Sequence, residues 1–388
     1  MIRLSNEEKA YFQEVWNQID KKMQKVAVRS YDKLPYTAVD GVHNDLKEAC
    51  IDWWTNGFWG GIMWILYMQT KNEQYKQTAI HAEESLRRVF SERAEGLHHD
   101  VGFMWNITSG VHYRMDGDLQ AKNDTLLAAF SLASRFNLKG NFIRAWNDVT
   151  GKNKGWVIVD SMMNIPLLYH ASEITGDERF AYIARAHADK TMKYHIRPDG
   201  SVKHIVSYHP ETGEYLEEMG GQGYGVGSAW SRGQAWALYG FALSYIYTKE
   251  ECYLDTAKKI ANYFISCLSA QEDFLPLCDF RAPETPLLYD STAGCCAACG
   301  LIEIANCVDE YEKPVYLQAA IKLLKAMAER FVDFSEDTDA LVLYGTEAYH
   351  KKEGDHTRHH LPIIYGDYFY IEAIYKLINE KQDDMLFW

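Results

Sequence analysis

Apolar residues recur along this chain mainly at helical spacing. Trp59, Ile62, Met63 and Leu66 stand at i, i+3, i+4 and i+7; after a short polar break, Tyr75, Ala79, Ala82, Leu86 and Val89 continue a second face. Such spacing turns one stripe toward a core and predicts two helices joined by a tight turn. The turn itself recurs. "TKNEQY" at Thr70 returns as "TGDERF" at Thr175 and "TKEECY" at Thr248, each with Glu three residues after Thr and an aromatic two further on. Looser copies are "NLKGNF" from Asn137 and "YEKPVY" from Tyr311. Threonine followed at the third position by Glu is a capping-box pattern for the second helix of a hairpin, with the aromatic stapling it to its partner.

Five such hairpins, a first helix over about 5–27 and a last over about 367–380 predict roughly twelve helices. The turns are unevenly spaced, from 38 residues (Asn137 to Thr175) to 73 (Thr175 to Thr248). A solenoid keeps a strict period. Uneven, insertion-rich repeats instead fit an all-α closed double ring, an (α/α)6 toroid, with loops building a cleft at one end. Proline is scarce and no low-complexity linker interrupts the chain, so residues 1–388 read as one domain.

Composition narrows the partners. The formal charge of −14 leaves no basic surplus for phosphates, which argues against nucleic acid and anionic membranes. The start "MIRLSNEEKAYF" has no apolar signal core, and no apolar run approaches the about 18 residues a membrane span needs. Four of eight cysteines cluster at Cys295, Cys296, Cys299 and Cys307. Cys296 and Cys299 have zinc-type CxxC spacing, but no second pair completes a ligand set. The stretch "STAGCCAACGLIEIA" therefore reads as a small-residue helix face buried against a neighbour. Thiols without a secretory signal suggest the cytoplasm.

Polar and aromatic groups concentrate in four segments: "DWWTNGFWGG" (52–61), "HHDVGF" (98–103), "GWVIVDSMMN" (155–164) and "MGGQGYGVGSAWSRGQAWALYG" (219–240). Asp160 follows four apolar residues, and the residues alone leave it open between a helix N-cap and a general acid/base raised by desolvation. Asp100 is likewise open between a loop cap and the second of two carboxylates in different electrostatic states. "HHD" by itself is a weak metal pattern. His350, His356, His359 and His360 in "YHKKEGDHTRHH" read as a solvated loop before a metal site. Arg232 offers a planar fork suited to a carboxylate, and loop aromatics beside Gly, Asn and Arg fit sugar stacking. "GQGYGVG" lacks GxGxxG spacing and no strand precedes it within a βαβ unit, so it is not a dinucleotide loop.

From about Trp53 onward, eight motifs in order resemble the unsaturated glucuronyl hydrolases, glycoside hydrolase family 88. They are "WTNGFW", "HHDVGF", "VDSMMNIPLLYHASEITGDE", "HPETGEYL", "QGYG", "WSRGQAW", "DSTA" and "YGDYFYIEA". The sister rhamnogalacturonyl hydrolases match less well around Arg232 and Asp100. The resemblance implies a cytoplasmic enzyme that takes lyase-generated oligosaccharides and hydrates the C4=C5 bond of their non-reducing-end uronate, with no metal or organic cofactor. It implies Asp160 as proton donor and water activator, and Asp100 as partner on the ring hydroxyls. By the same matching, Trp54, His99, His204, Gln222, Trp230, Arg232, Trp236 and Tyr349 line the pocket. The polar contacts to the uronate fall to Arg232, Gln222 and His204, and the tryptophans stack on sugar faces. Two departures stand out. Ser231 replaces the usual alanine, and "YHKKEG" lacks the serines of sulfate-preferring members, although Lys351 and Lys352 are at hand for a sulfate. The rivals are a rhamnogalacturonyl hydrolase, a non-catalytic sugar-binding toroid, and a toroid epimerase or zinc-dependent cyclase. Oligomeric state is not readable.

Overall fold

The computed structural model describes residues 4–147, 151–350, 358–379 and 387–388. Twelve helices form two concentric rings: α1 (Asn6–Arg29), α2 (Gly57–Thr70), α3 (Glu73–Arg87), α4 (101–116), α5 (Leu119–Ser134), α6 (Pro166–Thr175), α7 (Arg179–His195), α8 (Ser231–Thr248), α9 (Glu251–Ser269), α10 (Ser291–Cys307), α11 (Lys313–Arg330) and α12 (Ile364–Ile378). The even-numbered helices are the inner ring; each packs on the next, and α12 closes on α2. Helix α1 lies against both α12 and α3, so the sixth hairpin joins the two ends of the chain. This is the expected (α/α)6 toroid.

Residue pattern separates the rings. Inner helices are buried on most sides, and every residue of α8 from Ser231 to Ser244 is buried. Outer helices bury one stripe only, as in Tyr253, Leu254, Ala257, Ile260, Ala261, Phe264 and Leu268 of α9. Helix α10 carries Cys295, Cys296 and Cys299 fully buried, with the Cys299 thiol 3.2 Å from the Phe369 carbonyl. All eight cysteines are free thiols, and these three serve as small core residues.

The repeated threonine turn is present but works differently from the expected capping box. Thr70 donates to the Leu66 carbonyl and accepts the Asn72 amide, Thr175 does the same with Ala171 and Asp177, and Thr248 with Ser244 and Glu250. The following residue is left-handed each time: Lys71 (φ 56°), Gly176 (φ 68°) and Lys249 (φ 59°). Threonine therefore closes the first helix and starts a hydroxyl turn. Its backward bond wins because the left-handed residue carries the chain past the N-cap position. The aromatics also tie their helices, but through hydroxyl bonds to the neighbouring outer helix and not to the hairpin partner. Tyr75 and Tyr253 are buried, and their hydroxyls donate to Asp20 of α1 and Asp189 of α7 at 2.7 and 2.8 Å. "NLKGNF" is no helical turn: Phe136–Asn137 pairs with Phe142–Ile143 as a β-hairpin. The α4–α5 turn instead lies at Gly117 (φ 75°), with Asp118 capping the Ala121 amide.

All six inner helices start at one end of the ring. A three-stranded antiparallel sheet stands beside that mouth, pairing Trp156–Ile158 with Ile205–Tyr208 and the latter with Tyr215–Met219. No helix among the described residues is long and apolar enough to cross a membrane.

Candidate active site

The candidate residues converge because they sit just before, or in the first turn of, inner helices: Trp54 before α2, His99 and Asp100 before α4, Asp160 before α6, and Trp230 and Arg232 at α8. Helix amino termini carry partial positive charge, so this mouth favours an anionic ligand.

Asp160 lies in the 3₁₀ turn Val159–Met163, where Ile158 holds the cap position, so it is not an N-cap. The Val159 amide donates to the His204 carbonyl at 3.0 Å, which sets Asp160 and His204 at the same end of paired strands. Asp100 occupies the cap position of α4 but caps nothing with its carboxylate. Asn164 ties the two acids together: its amide nitrogen donates to Asp100 Oδ1 at 2.9 Å and to the Asp160 carbonyl at 3.0 Å. The fit is tight, since a Cβ on Gly102 would stand 2.6 Å from Asn164 Cα.

Asp100 is buried, and its carboxyl is pushed well above the usual carboxylate range, first by burial and then by the charge of Asp160. His98 and His99 do not offset this. Burial pushes His98 down to about 4 and His99 well below its ordinary value, so neither brings a positive charge. His98 Nδ1 and His99 Nε2 each lie 3.3 Å from Asp100 Oδ2, and His99 Nδ1 meets the Ser161 hydroxyl at 2.7 Å. His98, His99 and Asp100 are also the one cluster among the described residues with metal-ligand spacing.

His204 is aimed by the glycine-rich loop. The Gln222 amide donates to His204 Nδ1 at 3.0 Å, which leaves the ring proton on Nε2, 3.6 Å from Asp160 Oδ1. Both of those facing atoms are buried and make no hydrogen bond among the described residues. This approach demands glycine at 221: φ is +58°, and a Cβ there would stand 2.0 Å from His204 Nδ1. Asp279 holds the rest of the loop by accepting the Tyr224, Ala229 and Arg281 amides at 2.9 to 3.0 Å.

Two expectations shift. Arg232 was expected to turn its fork to a uronate, but its guanidinium is buried and committed inside the protein. It donates to Asp290 Oδ2 (2.8 Å), Thr292 Oγ1 (3.2 Å) and the carbonyls of Thr346 (2.8 Å) and Glu347 (2.7 Å). Trp230 and Trp236 are 2% and 0% exposed, so neither offers an open face to a sugar. The His204 ring and the Arg232 guanidinium cover Trp230 at 4.3 and 4.5 Å, while Trp236 packs on Phe103 and Phe369. Trp54 is half-buried over Phe103 and Tyr365. In the histidine-rich loop His350 is exposed, as expected of a solvated loop; His350 and His359 meet the Tyr224 and Tyr349 carbonyls at 2.7 and 2.9 Å, and His360 Nε2 accepts the Tyr289 amide. His356, Lys351 and Lys352 lie outside the described residues.

Tyr349 is buried with its amide on the Gln222 carbonyl (2.8 Å), and the Gln222 side chain donates to the Glu347 carbonyl (2.6 Å). Arg232 thus anchors the segment that Gln222 rests on. Sequence reasoning missed Asn164, Asp279 and Asp290. Asn164 and Asp290 were visible as the polar members of "VDSMMN" and "DSTA", whereas nothing in "LPLCDF" singles out Asp279.

A helical toroid whose mouth holds two carboxylates in unlike environments, walled by aromatics, is the frame of a carbohydrate-active hydrolase. The chain belongs to Glycosyl Hydrolase Family 88, whose profile matches residues 19–278. It is 35% identical to an unsaturated glucuronyl hydrolase of Bacillus sp. (strain GL1), over 89% of this chain and 91% of that protein. It is 33% identical to an unsaturated chondroitin disaccharide hydrolase of Streptococcus pneumoniae, over 86% and 83%. The crystal structure of an unsaturated glucuronyl hydrolase from Streptococcus agalactiae superposes with a TM-score of 0.87 at 29% identity, covering 100% of this chain and 95% of that one.

Proposed function

We propose that this family 88 hydrolase removes the non-reducing-end 4,5-unsaturated glucuronate from lyase-generated oligosaccharides, with Asp160 as general acid and base. The observation that carries the reading is the Asn164 bridge, which bonds the Asp100 carboxyl and the Asp160 main-chain carbonyl and so holds the two acids side by side, with burial pushing the Asp100 carboxyl well above the usual carboxylate range. The names of the relatives supply the substrate class: unsaturated glucuronyl groups, and chondroitin disaccharide for the streptococcal protein.

In the proposed reaction the vinyl ether C4=C5 takes a proton at C4 from Asp160. Water then adds at C5 while the Asp160 carboxylate accepts its proton, which restores the acid. The hemiketal so formed opens and releases the shortened sugar. Asp100, whose burial favours the protonated carboxyl, donates to a ring hydroxyl, and His204 faces Asp160 with its Nε2–H. Trp54, His99, Gln222 and Tyr349 complete the pocket wall, while Trp230, Arg232 and Trp236 act from behind it. The interlocking of both chain ends in the sixth hairpin supports reading residues 1–388 as one catalytic domain, and eight free thiols favour a reducing, cytoplasmic setting.

The test is loss of the alkene absorbance when the purified protein meets unsaturated chondroitin or hyaluronan disaccharides. Absence of loss with every unsaturated uronide tried, by protein shown to be folded, overturns the reading.

A further inference from the structure

Below the site the inner ring is filled by a column of aromatic rings. Trp54, Trp236 and Tyr365 form the top layer, and Phe58, Phe103 and Phe369 the middle one. Trp388 closes the column from beneath. Its side chain is 0% exposed, stacks on Phe369 at 5.7 Å and 5°, and meets Phe103 edge-on at 5.7 Å and 90°. Tyr239 and Tyr368 flank it at 6.2 and 5.9 Å. It is wedged between α4, α8 and α12, with Tyr239 eight residues into α8, about 12 Å below the mouth.

Polar bonds fix the indole in that place. Its Nε1–H donates to Glu372 Oε2 at 3.0 Å, and its main-chain oxygen accepts from Arg114 Nη1 at 3.2 Å and the Tyr247 hydroxyl at 2.6 Å. Glu372 is in turn held by Lys376 at 2.6 Å, and Lys376 by Glu303 at 2.7 Å, all buried. Three polar groups, Arg114 of α4, Tyr247 of α8 and Glu372 of α12, thus bond Trp388 directly, more than filling a gap requires.

What Trp388 touches above matters for the chemistry. Phe103, its edge-on neighbour, is the third residue of α4, and its amide donates to Asn164 Oδ1 at 3.0 Å. The other end of the Asn164 side chain is the bridge to Asp100 and the Asp160 carbonyl. A chain of direct contacts therefore runs Trp388, Phe103, Asn164, then the Asp100 carboxylate and the main-chain carbonyl of Asp160.

We propose that Trp388 is a positioning residue for the hydrolase reaction: by filling the toroid axis it fixes Phe103, and through Phe103 and Asn164 the spacing of Asp100 and Asp160. The inference rests on the reading of those two acids as the catalytic pair. Displacements of about 1 Å at reacting groups cost up to about a hundredfold in rate, so a cavity beneath Phe103 is felt at the site.

The test uses Trp388→Ala and Trp388→Leu in the full chain, with kcat, KM and the pH profile measured on an unsaturated chondroitin disaccharide, with and without added indole. The expected result is a kcat lowered about tenfold or more in the alanine variant, a smaller change in KM, and a shifted pH profile. Indole, which matches the vacated apolar space, restores kcat saturably. Trp388→Leu, which keeps apolar volume without a flat ring, shows a loss of several-fold and serves alone if the alanine variant does not fold. A kcat within twofold of the parent in a folded variant overturns the proposal, as does a loss in the alanine variant that indole leaves unchanged. A parent protein inactive on every unsaturated uronide overturns the functional reading instead.

Discussion

His204 and Asp160 face each other across 3.6 Å, and the amide of Gln222 has already chosen which nitrogen of His204 does the facing. The tautomer is set by a backbone N–H, and the backbone reaches it because residue 221 has no side chain. The glycines of "MGGQGYGVG" thus serve a histidine and not a phosphate.

Gly221→Ala tests this relationship. The added Cβ would collide with His204 Nδ1 at 2.0 Å in a left-handed conformation, so the loop must withdraw and release the ring. The loop is exposed at this point, so the ring of helices survives. We expect an unchanged circular dichroism spectrum with kcat/KM lowered about a hundredfold. Wild-type kinetics in this variant would remove His204 from the mechanism.

The two carboxylates should separate in their pH behaviour. Asp160→Asn is expected to lower kcat by about 10²–10⁴, and Asp100→Asn to impair it severely as well. Burial and the Asp160 charge raise the folded-state pKa of Asp100 well above the usual carboxylate range, so it loses its proton only as pH rises through that raised value. The parent's kcat/KM should fall on the alkaline side for this reason. Residual activity of Asp100→Asn should lack that limb, because an amide does not titrate, and an alkaline limb that persists in the variant assigns it to another group.

Arg232 should behave as a buried frame and not as a rim contact. Arg232→Lys replaces a fork serving four acceptors with one ammonium, leaving the Thr346 or Glu347 carbonyl and part of Asp290 unmatched. Leaving buried acceptors of this kind unmatched costs about 1–3 kcal/mol, readable in denaturant unfolding. Raised KM with unchanged stability would instead put the guanidinium on the substrate.

Sequence made the ring legible because its signals are local. Trp59, Ile62, Met63 and Leu66 declare a helix wherever they sit, and the Thr70, Thr175 and Thr248 turns repeat with a left-handed residue after each threonine. The sequence-level mechanism was still misassigned, since whether a hydroxyl bonds forward or backward depends on the φ of the next residue. At the site, the segments singled out by the resemblance meet at the mouth. It did not tell open faces from covered ones. That distinction depends on contacts such as Arg232 with Asp290, 58 residues away, and His204 with Trp230, 26 positions away. "NLKGNF" failed for a related reason: Phe136 and Ile143 pair across it, and no one-dimensional pattern records a cross-strand partner.

Asp367 gives a pH dependence of stability that owes nothing to the reaction. Its buried carboxyl is pushed up to about 7 by desolvation, against the opposing amides of Leu341 and Val342, which it accepts at 3.0 and 2.7 Å, and the more distant charge of Lys22. An unfolded aspartate titrates near about 3.9. Between those values the folded chain holds a proton that the unfolded chain has released. The stabilising contribution is therefore complete below about pH 4 and is lost as pH rises through about 7. Asp367→Asn cannot titrate, and its amide nitrogen cannot accept one of the two backbone bonds, so it should start less stable in acid. Its thermal midpoint should then fall less than the parent's from about pH 5 to about pH 8. Comparing the two slopes isolates this residue from Asp100, whose raised value acts in the same direction in both proteins. Parallel slopes would show that Asp367 is already ionised at acid pH, held there by the two amides.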